Sequence, residues 1–180
     1  ISSPVINSVA RTITSTKSIT SVAWRVRAKD STGAYSAYRT SPTYTINHNT
    51  APTVTLATPS NNQTLYENDV YIIDGTVIDT NTGDTVTVRY QIGAGTERAI
   101  KAYLSTGALE TFGKKLTFKG GKLYDGETLI AENLVDGVAH TLKIWATDDK
   151  GGTSTIVERT FYVVPNRAPL LTVNAPVISG

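Results

Sequence analysis

Cysteine and methionine are both absent from the 180 residues, and histidine and tryptophan occur only twice each. Without cysteine the chain has no disulfide, no thiol nucleophile and no thiolate-ligated metal site. With His48 and His140 as its only histidines, it also has no histidine-rich metal site. The absence of methionine leads us to expect a piece that was processed or excised from a longer protein.

Long apolar runs are missing as well, since no stretch approaches the ~20 residues of a transmembrane helix. We therefore expect no membrane insertion. An excess of one charge is also missing, because 17 Lys and Arg are nearly matched by 15 Asp and Glu. Nucleic-acid binding needs a basic stripe, since affinity grows with the number of phosphates neutralised. The scattered charges predict no nucleic-acid partner.

Short stretches in which polar and apolar residues alternate dominate the chain. The clearest are residues 85–92 and 140–144, and alternation with a period of two is typical of a strand with one buried face. Turn sequences such as Asn81-Thr82-Gly83-Asp84 and Lys150-Gly151-Gly152 separate the stretches. No long segment keeps a helical apolar stripe, so the pattern predicts an all-β chain.

An internal repeat is the strongest feature of the sequence. Residues 24–33 align with 142–151, and the alignment continues to two Asn-x-Ala-Pro segments at 49–52 and 166–169. The period of about 117 residues suits one β-sandwich with an insertion, which predicts a slice of a tandem array. Because proline interrupts a strand ladder, we interpret the two Asn-x-Ala-Pro segments as linkers.

The repeat predicts the domain boundaries. We expect residues 1–47 to be the C-terminal part of one module, 48–52 to be a linker, and 53–165 to be a complete sandwich. Residues 166–180 are expected to hold a second linker and the first strand of a next module.

The stretch that closes each repeat, 24–33 and 142–151, resembles the F strand and F–G turn of fibronectin type III modules. It is equally similar to the bacterial immunoglobulin-like modules that occur in tandem on Gram-positive surface proteins. The resemblance implies an immunoglobulin-like Greek-key β-sandwich. The segment 96–133 exceeds the connection usual in such modules, and we interpret 116–124 within it as an inserted β-hairpin. The implied strands A, B, C, C′, E, F and G lie at 53–58, 70–77, 85–92, 97–104, 127–134, 140–147 and 154–164.

A first candidate site lies on strands C and F, which are neighbours in this fold. Alternation turns Trp145 on one strand, and Arg89 and Gln91 on the other, to the same outer face. A flat aromatic ring beside polar side chains suits carbohydrate binding. Two alternatives remain open: Arg89 stacks on the indole, a contact of about 0.5–1 kcal/mol when exposed, or the inserted hairpin covers the ring.

Four aspartates form a second candidate site. Asp79 and Asp84 flank the B–C turn, Asp148 and Asp149 open the F–G turn, and both loops lie at the end where the chain enters the sandwich. Ca²⁺ takes about six to eight oxygen ligands, so a calcium ion here would stiffen the junction. The alternative is ordinary turn chemistry, because aspartate hydrogen-bonds its own backbone and the spacing matches no EF-hand loop. Asp30, aligned with Asp148, is expected to share its turn role.

The sequence favours a function without catalysis. Neither histidine lies near a nucleophile elbow, and nothing places an acidic pair in a cleft. We predict an extracellular stalk or adhesion spacer on a bacterial cell surface or a phage virion, whose partners are neighbouring modules of the same chain. The alternative is a carbohydrate-binding accessory module of a secreted polysaccharide-active protein, with cell-surface or cell-wall glycans as partners. Head-to-tail self-association, through the strand at 169–173 of another copy, is a further hypothesis.

Overall fold

The computed structural model describes residues 19–172, and the chain divides into two compact units, 1–48 and 49–180. The described residues contain strands but no helix. We accordingly find, in this part of the chain, no helix that is long and apolar enough to cross a membrane.

The described part of the first unit is an antiparallel β-hairpin. Its outer pair joins β1 (Ser21–Val22) to β4 (Tyr44–Thr45), and its inner pair joins β2 (Arg25–Val26) to β3 (Arg39–Thr40). The rings of Trp24 and Tyr44 stack in parallel, with centroids 5.0 Å apart.

The described part of the second unit, residues 49–172, has ten strands in two five-stranded sheets. In chain order they are β5 (Thr53–Thr58), β6 (Gln63–Tyr66), β7 (Val70–Ile78), β8 (Thr85–Ile92), β9 (Arg98–Leu104), β10 (Glu110–Lys119), β11 (Lys122–Asp125), β12 (Thr128–Ala131), β13 (His140–Asp148) and β14 (Val157–Val164). One sheet has the order β12-β11-β10-β7-β5 and the other β6-β14-β13-β8-β9. Neighbouring strands are antiparallel, except that β6 and β14 are parallel.

A single hydrophobic core lies between these two sheets. Alternate residues of β7, β8 and β13 point into it, because successive side chains of a strand face opposite sides. Each large apolar side chain buried in this way contributes about 1.5–3 kcal/mol relative to its exposed state. The fully buried residues of these three strands include Tyr71, Ile73, Val77, Val86, Val88, Leu142, Ile144 and Ala146. The strand order and this core establish the predicted immunoglobulin-like β-sandwich.

Most predicted strands lie where the alternation placed them. The predictions 53–58 and 85–92 match β5 and β8 exactly at both ends, and β7 and β13 each extend one residue further than predicted. The hairpin predicted around Gly120 and Gly121 is confirmed too, although its first strand, β10, is longer than predicted and also pairs with β7. Strands β10 and β11 pair across Gly120 and Gly121, with Phe118 opposite Leu123 and both side chains fully buried.

The prediction of strand E at 127–134 is wrong. The strand that pairs with β7, which is the position of strand E, is β10, and β12 lies at the outer edge of the same sheet. The physical reason is burial, because β10 places Phe112, Leu116 and Phe118 in the core while no residue of β12 is fully buried.

The start of strand G also differs from the prediction at 154. Strand β14 begins at Val157, because the side chain of Ser154 takes the place of a backbone partner for Ala146. Residues 165–172 form no strand. The remainder of the predicted next strand, 173–180, and residues 1–18 of the predicted first module lie outside the described residues.

Candidate functional site

The proposed carbohydrate-binding face has the predicted register but not the predicted exposure. Trp145 lies directly opposite Arg89 in the ladder between β13 and β8. The tryptophan side chain is nevertheless only 8% exposed, and Gln91 uses its amide nitrogen to donate to the carbonyl of Gly95 at 2.7 Å. Stacking on a sugar needs an open ring face, so the structure does not present the exposed platform that alternation suggested.

Three of the four predicted calcium-binding aspartates come together. β7 ends just before Asp79, β8 begins just after Asp84, and β13 ends at Asp148. One carboxylate oxygen from each residue lies within 4.8 Å of the others. Their exposed fractions are 1%, 9% and 7% respectively, so all three carboxylates are buried. We call these three residues the aspartate cluster.

The loop that carries Asp79 and Asp84 is held by local hydrogen bonds. The backbone N–H of Asn81 donates to Asp79 Oδ1 at 2.8 Å. Buried Ser105 donates its hydroxyl to the Asp79 carbonyl and its backbone N–H to the Asp84 carbonyl, both at 2.8 Å. Because one serine fixes both ends of the loop, the two carboxylates keep a defined separation.

The turn that carries Asp148 is organised by its own carboxylate. Asp148 Oδ1 accepts the backbone N–H groups of Lys150 and Gly152, both at 2.8 Å. A side chain at position 152 would place its Cβ 2.2 Å from Asp148 Oδ2. The turn therefore needs glycine at this position for the close approach of the carboxylate.

The incoming chain lies against the aspartate cluster. Asn49 donates its side-chain N–H to Asp148 Oδ2 at 2.9 Å, and Thr50 donates its backbone N–H to Asn81 Oδ1 at 2.7 Å. Sequence reasoning treated Asn49 only as part of a linker. The repetition of asparagine in both Asn-x-Ala-Pro segments is the signal that would have singled it out.

Two buried oxygens of this region have no hydrogen-bond partner among the described residues: Asp79 Oδ2 and Asn49 Oδ1. Burial is also the main factor that raises the pKa of Asp84, and the neighbouring carboxylates raise it further against the opposing effect of Lys150. Burial alone would raise the pKa of Asp148. The hydrogen bonds from Asn49 and from the turn backbone outweigh burial, so the pKa of Asp148 lies below its usual value.

Asp149 lies outside the aspartate cluster, contrary to its prediction as a fourth calcium ligand. It is exposed, and its Oδ2 forms an ion pair with Lys150 Nζ at 3.0 Å. Its other oxygen accepts the backbone N–H of Thr85 at 3.2 Å. The hydrogen bond from Lys150 is the main factor that lowers the pKa of Asp149. Its two oxygens are thus held by Lys150 and by the first residue of β8.

The turn role shared by Asp30 and Asp148 is confirmed. Asp30 Oδ1 accepts the backbone N–H groups of Thr32 and Ala34, both at 2.9 Å, just as Asp148 Oδ1 does in its own turn. Ser36 and Ser154 repeat a second contact, since each hydroxyl accepts the backbone N–H of the residue eight positions earlier, at 2.9 Å. The sequence repeat is therefore also a repeat of hydrogen bonding.

Comparison with known proteins identifies no family for this chain. No protein family matches the sequence, and neither does any curated protein. Among solved structures, the chain is similar to fibronectin(III)-like modules of Clostridium thermocellum CbhA, with 20% identity, a TM-score of 0.43, and coverage of 86% of this chain and 68% of that one. It is also similar to a beta-glucosidase from Listeria innocua in complex with gluconolactone, with 14% identity, a TM-score of 0.34, and coverage of 63% of this chain and 17% of that one. These values place the chain in no family, and the class of the protein, an all-β immunoglobulin-like sandwich, follows from its strand order.

Proposed function

We propose that residues 49–165 act as a non-catalytic, tension-bearing spacer module in a tandem array, within an extracellular protein of a bacterial surface or a phage virion. The observation that supports this function best is the parallel pairing of β6, the second strand of the module, with β14, its last strand.

The contact between β6 and β14 is continuous. Four residue pairs are in register, from Gln63 opposite Phe161 to Tyr66 opposite Val164. The loop before β6 extends the contact, since the backbone N–H of Asn62 donates to the carbonyl of Thr160 at 2.7 Å. The two strands thus share an uninterrupted ladder over the whole length of β6.

This geometry resists force applied to the two ends of the module. Tension pulls β6 towards its N-terminal end and β14 towards its C-terminal end, so the two parallel strands are sheared along their axes. The hydrogen bonds of a parallel ladder are evenly spaced and slanted, so shear loads them together instead of opening them one after another. A spacer that must keep its length under load needs this property.

The first unit is further evidence for a tandem array. Residues 24 and 26 align with 142 and 144, whose side chains, Leu142 and Ile144, are fully buried in the second unit. Trp24 and Val26 are instead 53% and 61% exposed. The described hairpin of the first unit therefore carries, at exposed positions, residues that align with the core of a sandwich, as the last two strands of a preceding module would.

Single-molecule force spectroscopy on the full chain, held at its two ends, tests this function. We expect a distinct force peak for the second unit. Thr64→Pro, which removes a ladder N–H in the middle of β6, is expected to lower that peak. The matched control is Thr128→Pro, at the first residue of the edge strand β12, which pairs with neither β6 nor β14 and is expected to leave the peak unchanged.

Urea unfolding of the same variants separates mechanical from thermodynamic effects. The proposal is wrong if the unmodified chain extends without a resolved peak. It is also wrong if both proline variants lower the peak in proportion to their losses in unfolding free energy, because the contact between β6 and β14 then has no special mechanical role.

A further inference from the structure

We propose that the aspartate cluster binds a calcium ion, with Asn49 as a fourth protein ligand. Asp79, Asp84 and Asp148 supply one carboxylate oxygen each, and these oxygens lie within 4.8 Å of one another. They come from the ends of three strands, β7 in one sheet and β8 and β13 in the other, and thus from two separate turns. A cation between them would tie both turns together.

The unpartnered oxygens point independently to a ligand. Asp79 is 1% exposed, and its Oδ2 has no hydrogen-bond partner among the described residues. A buried carboxylate oxygen without a partner is costly, and buried charges in proteins are normally paired or coordinate a metal. Asn49 Oδ1 is in the same situation, although the other atom of its amide is bonded to Asp148. A cation would satisfy both oxygens at once.

The charge balance also favours a cation. Three carboxylates are buried within a small volume, and the ammonium group of Lys150 forms its ion pair with Asp149, outside the cluster. A divalent ion would offset the excess negative charge that remains.

The donor set fits calcium in particular. All the candidate ligands are carboxylate or amide oxygens, the hard donors that Ca²⁺ prefers, and Ca²⁺ accepts irregular arrangements of about six to eight oxygens. Mg²⁺ instead demands a near-ideal octahedron and keeps most of its water. Asn49 lies where the chain enters the second unit, so a bound Ca²⁺ would fix the incoming segment to both turns. The site does not depend on the tension-bearing role and would bind Ca²⁺ without it.

The experiment measures calcium binding and thermal unfolding of the full chain after chelator treatment and desalting. We expect one Ca²⁺ per chain by calorimetric titration. At a hundredfold excess of Ca²⁺ over Kd, the added stability is RT ln(101), about 2.7 kcal/mol. For a sandwich of this size that corresponds to a rise of about 10 °C in the unfolding midpoint.

Conservative variants make the test specific. Asp79→Asn and Asp84→Asn are expected to abolish the calcium-dependent rise, whereas Asp149→Asn, the neighbouring aspartate outside the cluster, is expected to retain it. Without calcium, Asp84→Asn is expected to unfold at the same temperature as the unmodified chain or higher, because it removes one of three repelling charges. This second measurement shows that the variant folds.

Three results would overturn the assignment. The first is no shift of the midpoint at millimolar Ca²⁺. The second is a shift that survives in Asp79→Asn or is lost equally in Asp149→Asn, which would indicate diffuse charge screening. The third is an equal shift with Mg²⁺ at the same concentration, which would show that the site does not select calcium.

Discussion

The hydroxyl of Ser154, just before β14, accepts a backbone N–H of β13 in place of a backbone carbonyl. Removing this hydroxyl gives a well-defined test of the fold. In the structure, Ser154 Oγ accepts the backbone N–H of Ala146 at 2.9 Å and donates to the carbonyl of Thr155 at 3.1 Å. Ala146 is fully buried, so in Ser154→Ala its N–H keeps no partner and water does not reach it. Leaving a buried donor unsatisfied costs about 1–3 kcal/mol. The carbonyl of exposed Thr155 can be hydrated, so its loss adds little.

We therefore expect Ser154→Ala to lower the free energy of unfolding by about 2 kcal/mol, measured by urea unfolding. Fluorescence of buried Trp145 reports the transition, in a Trp24→Phe background that removes the other tryptophan. Thr155→Ala, which keeps the backbone carbonyl and changes only an exposed side chain, serves as the control and is expected to lie within about 0.5 kcal/mol of the parent. If the Ser154 variant lies within the same margin, the serine does not have the structural role described here.

Three further predictions concern packing, electrostatics and the outer face. Gly75→Ala is expected to lower the free energy of unfolding by about 1–3 kcal/mol. The reason is that the added Cβ would lie 2.3 Å from a backbone oxygen of β5 and 2.6 Å from the ring of Phe112. An unchanged free energy of unfolding in urea would contradict this close packing. The pKa of Asp30 is expected to lie below its usual 3.8, mainly because the hydroxyl of Thr32 donates to its carboxylate. Its contribution to stability is therefore present above the usual pKa of 3.8 and lost as the pH falls through the lowered pKa. An NMR titration in which Thr32→Val leaves the pKa of Asp30 unchanged would refute the cause. Trp145→Ala is expected to leave the binding of soluble cell-wall glycans unchanged, because the ring is buried. Calorimetry measures this binding without relying on tryptophan fluorescence. Glycan binding that is lost in this variant would restore the carbohydrate-binding alternative.

The sequence predicted much of the fold because local signals sufficed for it. The alternation in 85–92 and the glycine pair at 120–121 each determine a strand or a turn without help from distant residues. Strand E could not be found in this way. Which of two segments pairs with β7 depends on how Phe112, Leu116 and Phe118 fill the core, and no local pattern encodes that choice.

The candidate sites show the same division between local and distant information. Alternation correctly turned Trp145 away from the core, but it says nothing about whether a residue on the outer face stays exposed. The turn positions of Asp79, Asp84 and Asp148 were readable, since the strands that precede or follow them were placed correctly. Asn49 was missed because its contact with Asp148 joins residues 99 positions apart.

The central claim is that residues 49–165 form one cooperative module that carries tension between its ends. The chain length released when this module unfolds under force tests the claim most directly. The strands span 53–164, and these 112 residues would extend to about 390 Å at about 3.5 Å per residue. The account predicts a single force peak that releases this length less the folded distance between the two ends, and thus less than about 390 Å. Release in several smaller steps, or gradual extension at low force, would contradict it.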